Sequence, residues 1–208
     1  MNKRLFPRSF RVLMACLLIL AFAVPATASA GYLGDKLTIG QSMAKGDYLT
    51  SQDGRFSAIW QNDGNFVIYQ NGSSLWSSGT SNSGALSFNF ESQYGKPVIY
   101  KYGMKYQDVY QYGYRYGFNP ATGKFEYYTG WGWDKVLMID TSVQVAAWSP
   151  NTTSWIPGHH GSSLPANTTG DTLVMQSDGN LVLYNTTLTN SNYPNSWIPV
   201  WASNTGGR

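Results

Sequence analysis

Gln176-Ser177-Asp178-Gly179-Asn180-Leu181-Val182-Leu183-Tyr184 repeats an earlier stretch, Gln61-Asn62-Asp63-Gly64-Asn65-Phe66-Val67-Ile68-Tyr69. Both copies read Q-x-D-G-N-x-V-x-Y. A repeat of this kind fixes architecture before any single residue is interpreted, because each copy is one structural unit that stacks on its neighbours. Eight extended steps would span roughly 26 Å, far more than one small ligand, so the chain has to bend inside the motif. Asp-Gly is a strong hairpin signal, since Gly accepts positive φ. A turn at Asp63-Gly64 and at Asp178-Gly179 gathers the polar groups at a hairpin end. Asn65, Val67 and Tyr69 then share one face of the outgoing strand.

Gln, Asp, Asn and Tyr bring amide, carboxylate and phenol groups, and no His or Cys lies beside them. That set suits hydrogen bonding to vicinal hydroxyls, with Val as an apolar patch for a sugar C–H face. The motif resembles the mannose-binding motif of the bulb-type (monocot mannose-binding, snowdrop-type) lectins, here as a bacterial member. Trp201-Ala202-Ser203-Asn204-Thr205-Gly206-Gly207 resembles the same family's W-A-S-N-T-G-G segment. The resemblance implies an all-β fold, a β-prism II of three pseudo-symmetric sheet units, each able to hold one mannose. It implies that Gln61, Asp63 and Asn65 bond ring hydroxyls, that Tyr69 bonds another, and that Val67 packs on ring carbons. Gln176, Asp178, Asn180, Val182 and Tyr184 take the same roles in the third unit.

Residues 1–30 stand apart from that fold. Lys3, Arg4, Arg8 and Arg11 precede the apolar run Val12–Val24, and Ala28-Ser29-Ala30 fits a signal-peptidase site. A secretory signal peptide is expected, with a mature chain of 31–208 and a secreted (extracellular or periplasmic) location. Of 14 Lys+Arg and 11 Asp+Glu in the whole chain, four basic residues and no acidic one lie in the leader, so the remainder carries 10 − 11 = −1. The net +3 therefore belongs to the leader and is no footprint for nucleic acid. Cys16, the one cysteine, also falls in the leader, so stability has to come from the core.

The chain after the leader is rich in Gly, Tyr, Trp, Ser, Thr and Asn, with short apolar runs between turn signals, which argues for an all-β protein. Phe56–Trp60 and Phe66–Tyr69 read as paired strands, followed by a turn at Asn71-Gly72. Trp76, Trp148 and Trp201 each open a W-[SA]-x-x-T closure, and three closures imply three units: about 33–80, 84–152 and 165–205. These Trp residues read as core. The motif of the second unit is altered. Ser92-Gln93-Tyr94-Gly95-Lys96-Pro97-Val98-Ile99-Tyr100 keeps the Gly, Val and Tyr but places Ser92, Tyr94 and Lys96 at the Gln, Asp and Asn positions. It is expected to be a structural repeat with a dead or altered site.

The second unit also carries a Tyr-rich β insertion, 101–147. Tyr110, Tyr112, Tyr114 and Tyr116 alternate and so share one face of a strand. Such a face suits a hairpin packed on the prism, a carbohydrate-stacking surface, or a subunit interface. Residues 149–170 read as a polar loop, with His159-His160 solvated in it. The loop from Asn185 to Pro199 lies beside the third motif, where it can extend a ligand pocket. Asn71, Asn151, Asn167 and Asn185 begin N-glycosylation patterns, relevant only in a glycosylating host.

The expected function is thus an exported lectin for mannose or mannose-type glycans and polysaccharides, with two intact sites and no cofactor or metal. No membrane span is expected after signal cleavage, and a homodimer is compatible with the family. A lectin-like bacteriocin that binds a competitor's surface polysaccharide is the alternative. Glycoside hydrolysis needs two carboxylates flanking the bond, and Glu91, Asp108, Glu126, Asp134 and Asp140 show no such constellation.

Overall fold

A computed structural model of the chain describes residues 30–189 and 197–207. The expected leader lies outside these residues apart from Ala30, as does part of the loop between Asn185 and Pro199.

The described chain folds into a β-prism of three antiparallel four-stranded sheets. One sheet is contiguous in sequence. It contains β3 (Tyr48–Thr50), β4 (Phe56–Trp60), β5 (Phe66–Gln70) and β6 (Ser73–Ser77), in that order. Asn71 and Gly72 link β5 to β6 with φ of 48° and 82°, the two positive values that a two-residue hairpin turn of this hand requires.

The other two sheets each borrow their first strand from the N-terminal segment. β1 (Lys36–Thr38) pairs with β10 (Thr172–Met175), beside β11 (Leu181–Asn185) and β12 (Ile198–Ala202). β2 (Ser42–Met43) pairs with β7 (Ala85–Glu91), beside β8 (Lys96–Asn119) and β9 (Lys124–Trp148). The segment expected to open the first unit therefore serves the third and second sheets. Its strands are too short to carry a periodic signal, and they stitch the N-terminus across the prism.

Alternation along each strand turns one face inward. Phe56, Ala58 and Trp60 of β4 are buried, and Phe66, Ile68, Phe88, Ile99, Leu181 and Leu183 are sealed completely. At the centre the Phe66 ring lies 4.8 Å from Phe88, and Trp60 lies 5.9 Å from Phe88. Trp76, Trp148 and Trp201, one from each unit, form a mutual edge-to-face triangle with centroids 5.5, 5.9 and 6.0 Å apart. That geometry suits the quadrupoles of aromatic rings and closes one end of the core.

Two segments differ from the sequence reading. Residues 149–170 are not all loop. α1 (Thr152–His160) starts at Asn151, whose side chain accepts from the Ser154 amide, and it buries Ile156. His159 stacks on Trp155 at 3.9 Å, and His160 Nε2 lies 2.7 Å from the Pro199 carbonyl, so both sit against neighbouring groups. The Tyr-rich insertion is not a hairpin packed on the prism. Past a register shift at Tyr102/Gly103, β8 and β9 pair only with each other, as far as Asn119 opposite Lys124. The even-numbered tyrosines from Tyr110 to Tyr116 do share one face, and their ring contacts are with other rings of that face.

Candidate functional site

The two intact motifs form the same turn. Trp60 pairs with Phe66, and inside that pair the Gln61 amide donates to the Asn65 carbonyl at 2.9 Å. The Gly64 amide donates to the Gln61 carbonyl at 2.9 Å, and Gly64 has φ of 85°. This is a three-residue loop, Asn62-Asp63-Gly64, with glycine in the left-handed position, and not a two-residue Asp-Gly turn. The third unit repeats it: Gln176 N donates to Asn180 O at 2.9 Å, Gly179 N donates to Gln176 O at 3.1 Å, and Gly179 φ is 92°.

The glycine has a second reason to be glycine. A Cβ on Gly64 would sit 2.7 Å from Cβ of Ala85, where the second unit begins. One on Gly95 would collide with Thr169, where the third begins, and one on Gly179 would sit 2.6 Å from the Phe56 ring of the first. Each turn thus presses on the next unit, and the contacts close in a ring. The turns are joints of the prism as well as candidate sites.

Asp and Asn lock the turn. Asp63 Oδ1 accepts from the Asn65 amide at 2.9 Å, and Asp178 Oδ1 accepts from the Asn180 amide at 2.9 Å. Asn65 Oδ1 accepts from Ser78 Oγ and from the Thr80 amide, each at 3.1 Å. Asn180 Oδ1 accepts from Ser203 Oγ at 3.0 Å and the Thr205 amide at 3.3 Å. Thr80 and Thr205 donate to the Gly64 and Gly179 carbonyls at 2.6 Å. The W-[SA]-S-x-T closure is therefore the partner of the motif asparagine. This tie between two separately noticed motifs follows from the register of β5 with β6 and of β11 with β12.

Gln and Tyr are bonded to each other. Gln61 Nε2 donates to Tyr69 Oη at 2.7 Å, and Gln176 Nε2 donates to Tyr184 Oη at 2.8 Å. No described residue bonds the Gln176 Oε1, the Asn180 Nδ2 or the Tyr184 hydroxyl proton, so two donors and an acceptor remain on one surface. Burial raises the Tyr184 hydroxyl above the ordinary phenol range, which outweighs the lowering by Gln176, and the Asp178 charge adds to it. The phenol therefore stays protonated and able to donate. Val67 and Val182 are each 3% exposed, yet lie outside the central core cluster. They floor the outer face and leave little surface of their own.

The two turns differ at one atom. Asp63 Oδ2 accepts from Ser81 Oγ at 2.7 Å. The Ser81 hydroxyl, then the Asn65 amide, hold this carboxyl below its usual range. Gly206 stands at the corresponding place in the third unit, and no described residue bonds Asp178 Oδ2. The third site thus keeps an open carboxylate oxygen. Trp197, 45% exposed, lies edge-on to the Tyr184 ring at 5.6 Å and adds a wall there. The sequence marks this loop as adjacent to the motif, but it gives no sign that this tryptophan, and not another residue, reaches the tyrosine.

The second turn is rebuilt. Glu91 pairs with Lys96, and the Gly95 amide donates to the Glu91 carbonyl at 2.9 Å, so the loop has four residues, Ser92–Gly95. An ungapped alignment puts Ser92 at the Gln position. The register puts Glu91 there, one residue earlier. Glu91 faces Tyr100, as Gln61 faces Tyr69. Burial first, then the Glu91 charge, raises the Tyr100 hydroxyl. Lys96 Nζ reaches the Pro150 carbonyl at 3.4 Å. Tyr94, Lys96, Val98 and Tyr100, with Gln144, Ala146 and Ser149 of β9 and beyond, line a concavity of about 320 Å³. This turn holds the same place in its unit with one more loop residue, and it carries different chemistry.

No family model matches the chain, and no curated protein matches it. Among solved structures it is similar to a lectin of Marasmius oreades at 19% identity, over 86% of this chain and 98% of that one, with a TM-score of 0.47. It is also similar to monomeric monocot mannose-binding lectins from Gastrodia elata at 22% identity, over 83% and 98%, with a TM-score of 0.45. The mannose-specific agglutinin from snowdrop (Galanthus nivalis) bulbs, complexed with methyl-α-D-mannoside, matches at 18% identity over 76% and 94%, with a TM-score of 0.40.

Proposed function

We propose that this protein is an exported lectin that binds mannose or mannose-type glycans at the first and third turns, without catalysis. One observation carries the reading. Two turns far apart in sequence hold the same Gln–Tyr and Asp–Asn hydrogen bonds, and in the third the groups left over are those that a vicinal diol needs. Asp178 Oδ2 and Gln176 Oε1 accept from sugar hydroxyls, and Asn180 Nδ2 and the Tyr184 hydroxyl donate to sugar oxygens. The first site offers the same set, with Asp63 Oδ2 shared with Ser81. The Gastrodia lectins are mannose-binding and the snowdrop agglutinin is mannose-specific, which agrees with mannose as the sugar.

Shallow sites of this kind bind one sugar weakly, and two sites on one chain gain through multivalency on a clustered glycan. Titration calorimetry with mannose and a branched mannoside tests this. Asp63→Asn and Asp178→Asn keep the shape and the Oδ1 bond but remove the charge. A hydrogen bond to a charged group contributes about 1.5–3 kcal/mol, so each variant is expected to weaken its own site roughly 10- to 100-fold. The double variant is expected to show no heat. Wild-type protein that is silent at millimolar sugar would reduce the motifs to scaffold. Export rests on the leader, and secreted protein is expected to begin at Gly31 on N-terminal sequencing.

A further inference from the structure

We propose that the aromatic face of the β8–β9 hairpin is a self-association surface, on which a second copy of this chain packs face to face about a twofold axis.

A two-stranded ribbon is marginal in water unless a further layer covers its apolar face. This ribbon covers one face itself. Arg115 lies flat across it, bonded to the Gln111 carbonyl at 2.9 Å and to Asp134 at 3.1 Å, over the space that Gly132 leaves open. Tyr128 does the same over Gly130, where a Cβ would sit 2.7 Å from its ring. The opposite face has no such cover. A block of nine aromatic side chains, between Tyr110 and Phe118 on β8 and between Phe125 and Trp133 on β9, stands on it, each 54% to 75% exposed, with Tyr106 nearer the root. At 150–250 Å² per ring, about 1,000 Å² is left open. The largest apolar patch on a typical monomer is about 300–600 Å², whereas a stable interface takes about 800 Å² from each partner.

The pattern of rings identifies the occupant. The middle row of the block is Tyr114 opposite Thr129, the one position in it without a ring. Toward the root come Tyr110–Trp133 and Tyr112–Trp131. Toward the tip come Tyr116–Tyr127 and Phe118–Phe125. Two rows of paired rings thus flank a central hollow on each side. With a twofold axis between the two faces and across the strands at this row, each row of paired rings meets a row of paired rings of the other copy, and the central row meets its own copy, as an isologous interface requires. Below the block, Asp108 and Lys135 pair with each other at 3.2 Å, so the face carries no net charge to repel a copy.

The same geometry disfavours two other occupants. Tyr114 and Tyr127 are parallel within 8° with centroids 5.5 Å apart, and Tyr110 and Trp131 are within 19° at 5.7 Å. Rings lying side by side in one plane cannot come this close. They stack on each other, so each of these rings gives one of its faces to a neighbour and not to a polysaccharide. In a lipid phase the hydroxyls of the four successive tyrosines would lack partners in the hydrocarbon.

The block, Tyr110 to Phe118 on β8, spans about 30 Å and lies outward of the point at Gly103 where the hairpin leaves the prism. Antiparallel pairing sets the two prisms at opposite ends of the joined hairpins. If the carbohydrate reading holds, the dimer carries its sugar sites on two separated heads.

Sedimentation velocity of the full chain at micromolar concentration is expected to give twice the chain mass. Tyr112→Ser/Tyr116→Ser/Trp131→Ser is expected to weaken association at least 100-fold and give a monomer. Its thermal midpoint and its affinity for free mannose are expected to stay as in wild type. Gln111→Ser, on the covered face, is expected to remain a dimer. Monomeric wild type, or a triple variant that stays dimeric, overturns the proposal. So does monomeric wild type that co-sediments with phosphatidylcholine vesicles or with insoluble polysaccharide, since the face then belongs to lipid or glycan. Loss of mannose binding in a protein that still dimerises would break the carbohydrate reading and leave the interface standing.

Discussion

The prism sheets and the β8–β9 hairpin obey the same rule and end in opposite states. In both, alternation puts large apolar side chains on one face. In the prism, that face meets two other sheets, and Phe66, Phe88 and Ile99 lose all contact with water. In the hairpin, Tyr110, Tyr112, Tyr114 and Tyr116 stand on a face of equal regularity and remain more than half exposed. Alternation specifies that a face exists. Alternation alone does not say what covers it.

The sharpest contrast is a ring removed from each region. Phe88→Ala deletes a fully buried ring in contact with Trp60 and Phe66, and is expected to cost about 3–5 kcal/mol in denaturant unfolding. Tyr112→Ala removes a ring of similar size from the open face and is expected to shift the prism's unfolding by no more than about 0.5 kcal/mol. Equal losses would mean that the hairpin and prism unfold as one body.

Glycines offer a smaller contrast. Gly179→Ala imposes a side chain at φ of 92° and pushes on the Phe56 ring, a combination expected to cost about 1–3 kcal/mol. Gly132→Ala meets the Arg115 guanidinium, the far end of a flexible side chain. It is expected to release Arg115 from Asp134 and leave the prism's unfolding midpoint where it was. Amide exchange measured across both regions would separate the two effects.

Much of this was legible in the residues, and the rest fails for physical reasons. Asp-Gly in both motifs gives the turn, and the three W-[SA]-x-x-T segments give the triangle of Trp76, Trp148 and Trp201, because both depend on short contiguous stretches. The borrowing of β1 and β2 is invisible, since strands of three and two residues have no period to read. α1 is hidden by Pro157 and Gly158, which argue against a helix in the sequence, although its cap, Asn151, is of a residue type that favours that position. The Glu91 position was missed because one extra loop residue leaves the Gly, Val and Tyr of the motif aligned and shifts only the incoming strand. The candidate binding groups can be read from the motif as residue types. That Asn65 and Asn180 spend their carbonyl oxygens on Ser78 and Ser203 could be seen only once the strands were paired.

The smallest effect is in acid, and it divides the regions again. Asp63 in the prism turn and Glu126 at the hairpin tip are both held below their usual ranges, Asp63 by Ser81 and then the Asn65 amide, Glu126 by Thr122 and then Asn119. A carboxylate whose folded pKa is depressed adds stability above its unfolded value and loses it as pH falls through the folded one. Both contributions are therefore present at neutral pH and fade below the normal carboxylate range. Both groups are well solvated, so solvent screening keeps each effect small. Their readouts differ because their attachments differ. Asp63 is tied to the closure that Thr80 makes with Gly64, so its protonation is expected to lower the prism's midpoint slightly. Protonating Glu126 is expected to loosen only the turn from Asn119 to Lys124, with no change in the prism. Ser81→Ala removes the largest cause of the Asp63 shift. Carboxyl-carbon NMR titration should then show Asp63 moving back toward its ordinary value while Glu126 stays fixed. A Glu126 that moved with it would mean that the hairpin tip and the prism turn are coupled, and the division between the two regions would fail.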